Sequence, residues 1–206
     1  MQRLRAGVPL LALVAASACG RPLVCPTWPD GSEIAVVRVF EHYNVVGADF
    51  DDYANTMKLP FKCKSDEAVA CHEGKVCNYV QTESKDGKCR VAGVHLTLLS
   101  RITLPRWANP VTTGADAEDY ALSKAMILEH EDTHFKIARK FLDERHRRLW
   151  SVPPQPSCEA LSKLLHAATD EVEAAEEKEQ SAFDAAEKKK TFEDYKKAHP
   201  PAWRKK

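Results

Sequence analysis

The 206-residue sequence lacks a net charge, a membrane-spanning apolar stretch, an internal repeat and any CxxC pair. Lys plus Arg and Asp plus Glu each number 30, so no overall field attracts nucleic acid or an anionic membrane. Without a CxxC pair, a structural zinc ribbon is a poor explanation for the seven cysteines. The length suits one ordinary domain with peripheral segments, and we expect no nucleic-acid partner.

The N-terminus has the features of an export signal. Arg3 and Arg5 precede the apolar run Val8 to Ala16, and small residues follow up to Cys19. This run is too short to cross a bilayer, which takes roughly 20 apolar residues. We therefore predict that residues 1–18 are a signal peptide and that the protein is exported, either to the periplasm or into the medium.

The cleavage region has two interpretations. Ala16-Ser17-Ala18 suits an ordinary signal peptidase, whereas Ala16 to Gly20 resembles a bacterial lipobox with Ala where Leu is usual. The second interpretation predicts a lipid anchor on Cys19 and an outer-membrane lipoprotein. Acylation of Cys19 leaves an even set of six cysteines, which in an oxidising compartment predicts three disulfides: Cys25, Cys63, Cys71, Cys77, Cys89 and Cys158. Six cysteines allow about 15 pairings, and the sequence leaves the choice open.

The N-terminal half of the mature chain has strand patterns. Residues rich in Val, Phe and Tyr from Ile34 to Val46 predict an early strand or strand pair. Two further strands, Val76 to Thr82 and Arg90 to Leu104, flank Asp86-Gly87, a strong turn signal, and so predict a hairpin. We expect a small antiparallel sheet.

The C-terminal half is helical. Apolar residues recur at helical spacing from Ala115 to Leu149, which predicts one long helix that ends at Pro153-Pro154-Gln155-Pro156. A second helix begins near Ser157 and has its own apolar stripe. Two long helices joined by a short turn should pack antiparallel, so the predicted class is α+β.

The predicted domain organisation follows from these segments. A leader or linker of residues 19–32 precedes a single domain of residues 33–198, and residues 199–206 form a basic tail. The lysines near the C-terminus are typical of a solvated helix end rather than of a binding patch.

The long helix contains the motif that carries chemistry, the HExxH sequence from His130 to His134. A helix turns ~100° per residue, so side chains four apart share a face and two imidazoles can hold one metal ion. Glu131 lies one step round the helix, where a carboxylate can take the proton of a metal-activated water as general base. We predict that His130 and His134 bind zinc and that Glu131 is catalytic.

A third protein ligand is expected, and its identity is open at this point. Ile137 and Lys140 stand where the metzincin extension HExxHxxGxxH needs Gly and His, so that class is excluded. If the two antiparallel helices start level with each other at the Pro turn, residues near 174 of the second helix lie beside residue 132 of the first. The candidates are then Glu179, ranked first because it lies within the apolar stripe, with Glu176 and Glu171 more typical of helix surface.

Four further segments carry a family resemblance. They are Tyr43 with Val46-Gly47, Cys89-Arg90-Val91 with the strand Val94 to Leu98, Leu104-Pro105-Arg106-Trp107, and Leu128 to Ala138. In these segments the chain resembles the bacterial family of predicted secreted zinc-dependent proteases, which is also described as a domain of unknown function. The resemblance spans roughly Ile34 to Phe141 and implies a secreted or periplasmic metallopeptidase-like protein.

The resemblance is incomplete near the C-terminus. Phe183-Asp184 resembles an aromatic-Asp pair of the family, but Glu187 and Lys189-Lys190 stand where Thr and His-Gly are expected. If that His binds the metal in relatives, Asp184 or Glu179 would have to substitute for it here.

Together these patterns predict an exported zinc-dependent hydrolase that cleaves a peptide or protein substrate. Two alternatives remain: a zinc-binding lipoprotein without catalysis, and a disulfide-rich envelope protein that binds a partner. The sequence does not define the substrate or the oligomeric state.

Overall fold

The computed structural model describes residues 22–26, 33–61, 63, 68–111 and 113–200. The predicted signal peptide, Cys19 and residues 201–206 of the predicted basic tail lie outside this range. Within it, no helix is both long enough and apolar enough to cross a bilayer.

In the part of the chain that the structure describes, three strands form one sheet in the order β1-β3-β2. Strand β1 spans Ile34–Val45, β2 spans Cys71–Lys85 and β3 spans Lys88–Trp107. The predicted hairpin is confirmed, since β2 pairs antiparallel with β3. At its turn Asp86 and Gly87 both have positive φ, 52° and 72°, as a tight hairpin turn requires.

The sheet is mixed rather than wholly antiparallel, because β1 runs parallel to β3. The chain stays at one end of the sheet between β1 and β2, so these consecutive strands run in opposite directions. Strand β3 then lies between them and pairs with both. The predicted α+β class is correct, and the expected antiparallel direction of β1 against its neighbour is wrong.

Among the described residues, four helices complete the fold: α1 Phe50–Thr56, α2 Ala115–Trp150, α3 Cys158–Glu187 and α4 Phe192–Ala198. The predicted long helix is α2, and it lies across one face of the sheet. Its Ala138, Leu142 and Leu149 form a buried cluster with strand residues that include Leu96 and Leu98. Because each buried aliphatic side chain contributes roughly 1.5–3 kcal/mol, this cluster holds α2 firmly on the sheet.

A second buried cluster contains several residues that carry the family resemblance. Tyr43 and Trp107 pack here with Phe50 and Tyr53 of α1. The indole Nε1 of Trp107 donates to the Gly47 carbonyl at 2.9 Å. A Cβ at Gly47 would lie 2.4 Å from the Tyr53 backbone nitrogen, so this close approach requires glycine.

Helix α3 packs antiparallel on α2, as predicted, but in a different register. Ion pairs define the register: Lys140–Glu179, Arg145–Glu173 and Arg148–Glu171. Residues near 184, not residues near 174, therefore lie beside the HExxH turn. The segment between the helices explains the shift, because Gln155 exchanges two 2.8 Å backbone hydrogen bonds with Cys89 and carries the chain past the end of α2.

All six cysteines left by the lipobox interpretation are paired. The disulfides are Cys25–Cys77, Cys63–Cys71 and Cys89–Cys158. The first ties the leader to β2, the second closes a short segment before β2, and the third fixes the start of α3 to β3. Three disulfides are thus confirmed, in one of the pairings that the sequence left open.

Candidate metal centre

His130 and His134 converge from one face of α2. Their Nε2 atoms are 3.1 Å apart, and their ring centroids are 4.8 Å apart. His134 is buried at 8 % exposure, and the side chain of His130 is 32 % exposed. The helical spacing of four residues thus brings the two imidazoles together, as the motif predicts.

Asp184 of α3 completes a group of three potential ligands. Its Oδ1 lies 2.8 Å from Nε2 of His134 and 3.6 Å from Nε2 of His130. Donor atoms on a tetrahedral zinc ion lie roughly 3.3 Å apart, because the bonds are about 2.0–2.2 Å long. The observed triangle of two nitrogens and one oxygen therefore fits zinc in size and chemistry. Among the described residues, His130, His134 and Asp184 form the group of three side chains that could hold a metal ion.

The other proposed carboxylates lie elsewhere. Glu179, ranked first from the sequence, binds Lys140 at 2.5 Å, and Glu171 binds Arg148 at 2.7 Å. Glu176 lines the same cleft as the two histidines but is not in the group of three. The preference for Glu179 was wrong because it assumed an immediate turn between the helices.

Two more α3 residues support the imidazoles. Oε1 of Gln180 lies 2.5 Å from Nδ1 of His134, and its Nε2 donates to the His134 backbone carbonyl at 3.0 Å. The ring of Phe183 packs against both imidazoles, with centroids 4.9 Å from His130 and 5.0 Å from His134. Gln180, Phe183 and Asp184 share one helical face because they are three and four residues apart.

Burial shapes the electrostatics of the centre. Glu131 is 5 % exposed, and burial, with a further contribution from the Asp184 carboxylate, raises its pKa to about 7. A bound dication would lower this value again. Burial and the neighbouring His134 ring lower the pKa of His130, which favours the neutral imidazole that a metal needs.

The other face of the motif is fixed to the sheet. Asp132 accepts from Arg38 of β1 at 2.6 Å and pairs with Lys136 at 2.8 Å. The Arg38 guanidinium also lies 4.2 Å from the centroid of the Phe135 ring. These contacts fix the rotation of α2 about its own axis, with Asp132 facing β1 and His130 and His134 on another face of the helix.

A cleft of about 990 Å³ contains the three ligand atoms and Glu131. It is lined on α2 by residues between Met126 and Arg145, on β2 by residues between Cys71 and Val76, and on α3 by residues between Glu173 and Lys188. The carboxylate of Glu131 therefore shares a space with the candidate metal ligands.

Sequence reasoning placed His130, His134 and Glu131 in one site, and the structure brings them together. It missed Gln180 as a partner of His134. The available signal was the spacing of Gln180, Phe183 and Asp184 on one helical face, which is informative only once the register of α3 on α2 is known.

Comparison with known proteins identifies a family and little more. Residues 40–191 match the family described as "Bacterial protein of unknown function (DUF922)". This range covers well over half of the chain and includes the whole HExxH motif and Asp184. No curated protein and no solved structure gives a significant match.

Proposed function

The chain belongs to the bacterial family of unknown function DUF922, and within that family we propose that it is an exported zinc-dependent peptidase. The observation that carries the proposal is the convergence of two imidazoles and one carboxylate beside the buried Glu131 carboxylate. Two His and one carboxylate are a known ligand set of catalytic zinc, and three protein ligands leave a fourth position open.

Each residue of the centre has a distinct role in this proposal. His130, His134 and Asp184 would hold the ion, which when bound supplies Lewis-acid polarisation of a water and of the scissile carbonyl. Glu131 would accept the proton of the attacking water at a carboxylate oxygen and pass it to the leaving amine. Glu131 is 5 % exposed and lines the same cleft as the three candidate ligands, so its carboxylate can exchange a proton with a water held there.

The shape of the cleft favours a polypeptide substrate over a small metabolite. Its wall on α3 extends from Glu173 to Glu187, roughly 21 Å at 1.5 Å per residue. An extended chain rises by at most about 3.3–3.6 Å per residue, so a segment of about six residues would fit. We therefore propose a peptide or protein as the substrate.

A cleavage assay with matched variants tests this function. The mature protein, loaded with zinc, is incubated with a peptide library, and products are identified by mass spectrometry. Glu131→Gln should lower kcat/KM by about 10²- to 10⁴-fold while zinc content stays unchanged, because the variant loses only proton transfer. Glu129→Gln is the control: this exposed neighbour contacts Tyr195 and should change kcat/KM little.

Two outcomes would argue against a peptidase. Equal cleavage by wild type and Glu131→Gln would remove Glu131 from the mechanism. Stoichiometric zinc with no cleavage of any peptide would instead support the alternative of a zinc-binding envelope protein without catalysis.

A further inference from the structure

We propose that Gln180 is a positioning residue that fixes the tautomer of His134, so that the Nε2 lone pair of His134 faces the ligand position before any metal arrives. The part of this inference that concerns zinc rests on the proposed function. The part that concerns the imidazole proton is a property of the metal-free protein and can be tested without zinc.

The orientation of the Gln180 amide follows from its two partners. One end of the amide lies 3.0 Å from the backbone carbonyl oxygen of His134, and the other lies 2.5 Å from Nδ1 of the same residue. A carbonyl oxygen only accepts hydrogen bonds, so the amide NH₂ must face it. The amide oxygen of Gln180 must therefore face Nδ1.

This orientation decides where the proton of a neutral His134 lies. An amide oxygen is an acceptor, so Nδ1 must carry hydrogen to complete the contact. A neutral imidazole has one N–H, and Nε2 is then an acceptor with a free lone pair. This lone pair faces Oδ1 of Asp184 at 2.8 Å and Nε2 of His130 at 3.1 Å.

Nε2 of His134 therefore has no hydrogen to donate to Oδ1 of Asp184, and both atoms are acceptors. A carboxylate oxygen and an unprotonated imidazole nitrogen at 2.8 Å repel each other unless a cation lies between them. Gln180 therefore favours a cation at this position through the hydrogen bond on the far side of the ring. Histidine ligands commonly donate their other N–H in this way, and loss of such a partner typically costs 10–100-fold in metal affinity.

Burial makes the contact with Gln180 hard to replace by water. Gln180 is 5 % exposed and His134 is 8 % exposed. Phe183, one turn further along α3, covers both imidazoles. If the amide were removed, Nδ1 of His134 would lack a solvent partner, and the Nε2–H tautomer could bond to Asp184 instead.

The first readout is the ring ¹⁵N spectrum of His134 in the metal-free protein at pH 8, with peaks assigned by loss in His134→Ala. Wild type should show a protonated Nδ1 and an unprotonated Nε2. Gln180→Leu should shift the population to Nε2–H. Gln180→Glu should keep Nδ1–H, because the carboxyl oxygen that replaces the amide oxygen opposite Nδ1 is still an acceptor.

The second readout is zinc affinity by competition with a chromogenic chelator. Gln180→Leu should weaken zinc binding by about 10- to 100-fold. Ser181→Ala, an exposed neighbour on α3, is the control and should bind like wild type. Urea unfolding of each variant verifies that it is folded.

An Nε2–H tautomer in metal-free wild type, protonation of both ring nitrogens of His134, or the same tautomer in wild type and Gln180→Leu, would overturn the inference. Wild type with the Nδ1–H tautomer but no zinc affinity would leave the positioning role of Gln180 intact and would count against the proposed function alone.

Discussion

Asp184 is the α3 carboxylate that reaches both imidazoles, although 46 % of its side chain is exposed. In the proposed centre its Oδ1 supplies the one anionic ligand. Asp184→Asn keeps the size of the side chain and removes the charge. We expect zinc affinity to fall at least 10-fold, measured by chelator competition, because a neutral amide oxygen is a much weaker zinc ligand than a carboxylate.

Glu179→Gln is the matched control, since it neutralises an α3 carboxylate that binds Lys140 instead of facing the imidazoles. Its zinc affinity should equal that of wild type. If Glu179→Gln loses zinc and Asp184→Asn does not, the third ligand is assigned to the wrong residue.

Glu131 makes the stability of the metal-free protein depend on pH. Its pKa is raised from 4.5 to about 7, so the folded state holds a proton that the unfolded state has released between these values. The stabilisation that this proton gives the folded state is complete below pH 4.5 and is lost as the pH rises through 7. The unfolding free energy of wild type relative to Glu131→Gln should therefore fall by about 2–3 kcal/mol from pH 5 to pH 8.

Urea unfolding of both proteins in a chelator, at pH 5 and pH 8, gives this difference directly. If the two proteins differ by the same unfolding free energy at both pH values, burial does not raise the pKa of Glu131.

At the level of single residues, the sequence predicted the part of the centre whose residues are close together in the chain. His130, Glu131 and His134 lie within one helical turn, so their mutual geometry depends only on the helix. Asp184 and Gln180 lie about 50 residues further along and reach His134 only through the packing of α3 on α2. No local pattern encodes that distance.

At the level of elements, the register of α3 decided which carboxylate enters the site. Equal rise on both sides of the Pro segment would put residues near 174 beside the motif. The backbone hydrogen bonds between Gln155 and Cys89, and the disulfide at Cys158, instead start α3 beyond the end of α2. Hydrophobic periodicity predicts which face of a helix is buried but not where along its partner the helix begins.

The topology of the sheet was also only partly predictable from local sequence patterns. The Asp86-Gly87 turn specifies that β2 and β3 pair, because a two-residue turn leaves no other arrangement. The position of β1 depends on a contact between distant segments, with Ile34 opposite Leu96. Its parallel direction could not be derived from the pattern of β1 itself.

Two disulfides should contribute unequally to stability. Cys89–Cys158 closes a sequence separation of 69 residues, whereas Cys63–Cys71 closes one of 8. In the loop-entropy description, the longer closure restricts the unfolded chain more, by about 2 kcal/mol. Replacing both cysteines of the long closure by Ser should therefore lower the unfolding free energy by about 2 kcal/mol more than the same change in the short one.

Urea unfolding of the two double variants at one pH measures this difference. The short closure serves as the control for the effect of replacing two cysteine sulfurs by hydroxyls, since each pair has one buried cysteine, Cys71 or Cys89. Equal losses would show that loop length does not govern the effect here.

At the level of the whole molecule, three disulfides hold a leader, a sheet and a helix pair together. Disulfides persist in oxidising compartments, which supports the proposed export of the chain. Cys25–Cys77 fixes the leader to β2 only six residues after Cys19, so an acyl group on Cys19 would hold the domain close to the membrane.

Fractionation of cells that express the full chain tests the lipid anchor. Wild type should sediment with the outer membrane, and Cys19→Ala should move to the soluble fraction, because the variant has no residue to acylate. If Cys19→Ala stays in the membrane fraction, the anchor is not at Cys19; if wild type is already soluble, ordinary secretion is the better description.

The central claim is that the two histidines of α2 hold a metal ion, and the zinc content of the purified mature protein tests it most directly. After dialysis against trace zinc, mass-spectrometric metal analysis should find one zinc ion per chain in wild type. It should find the same in His146→Ala, which alters a histidine four turns along α2 that contacts Trp150. His130→Ala should retain little or no zinc. Wild type without zinc, or a full complement in His130→Ala, would contradict the account.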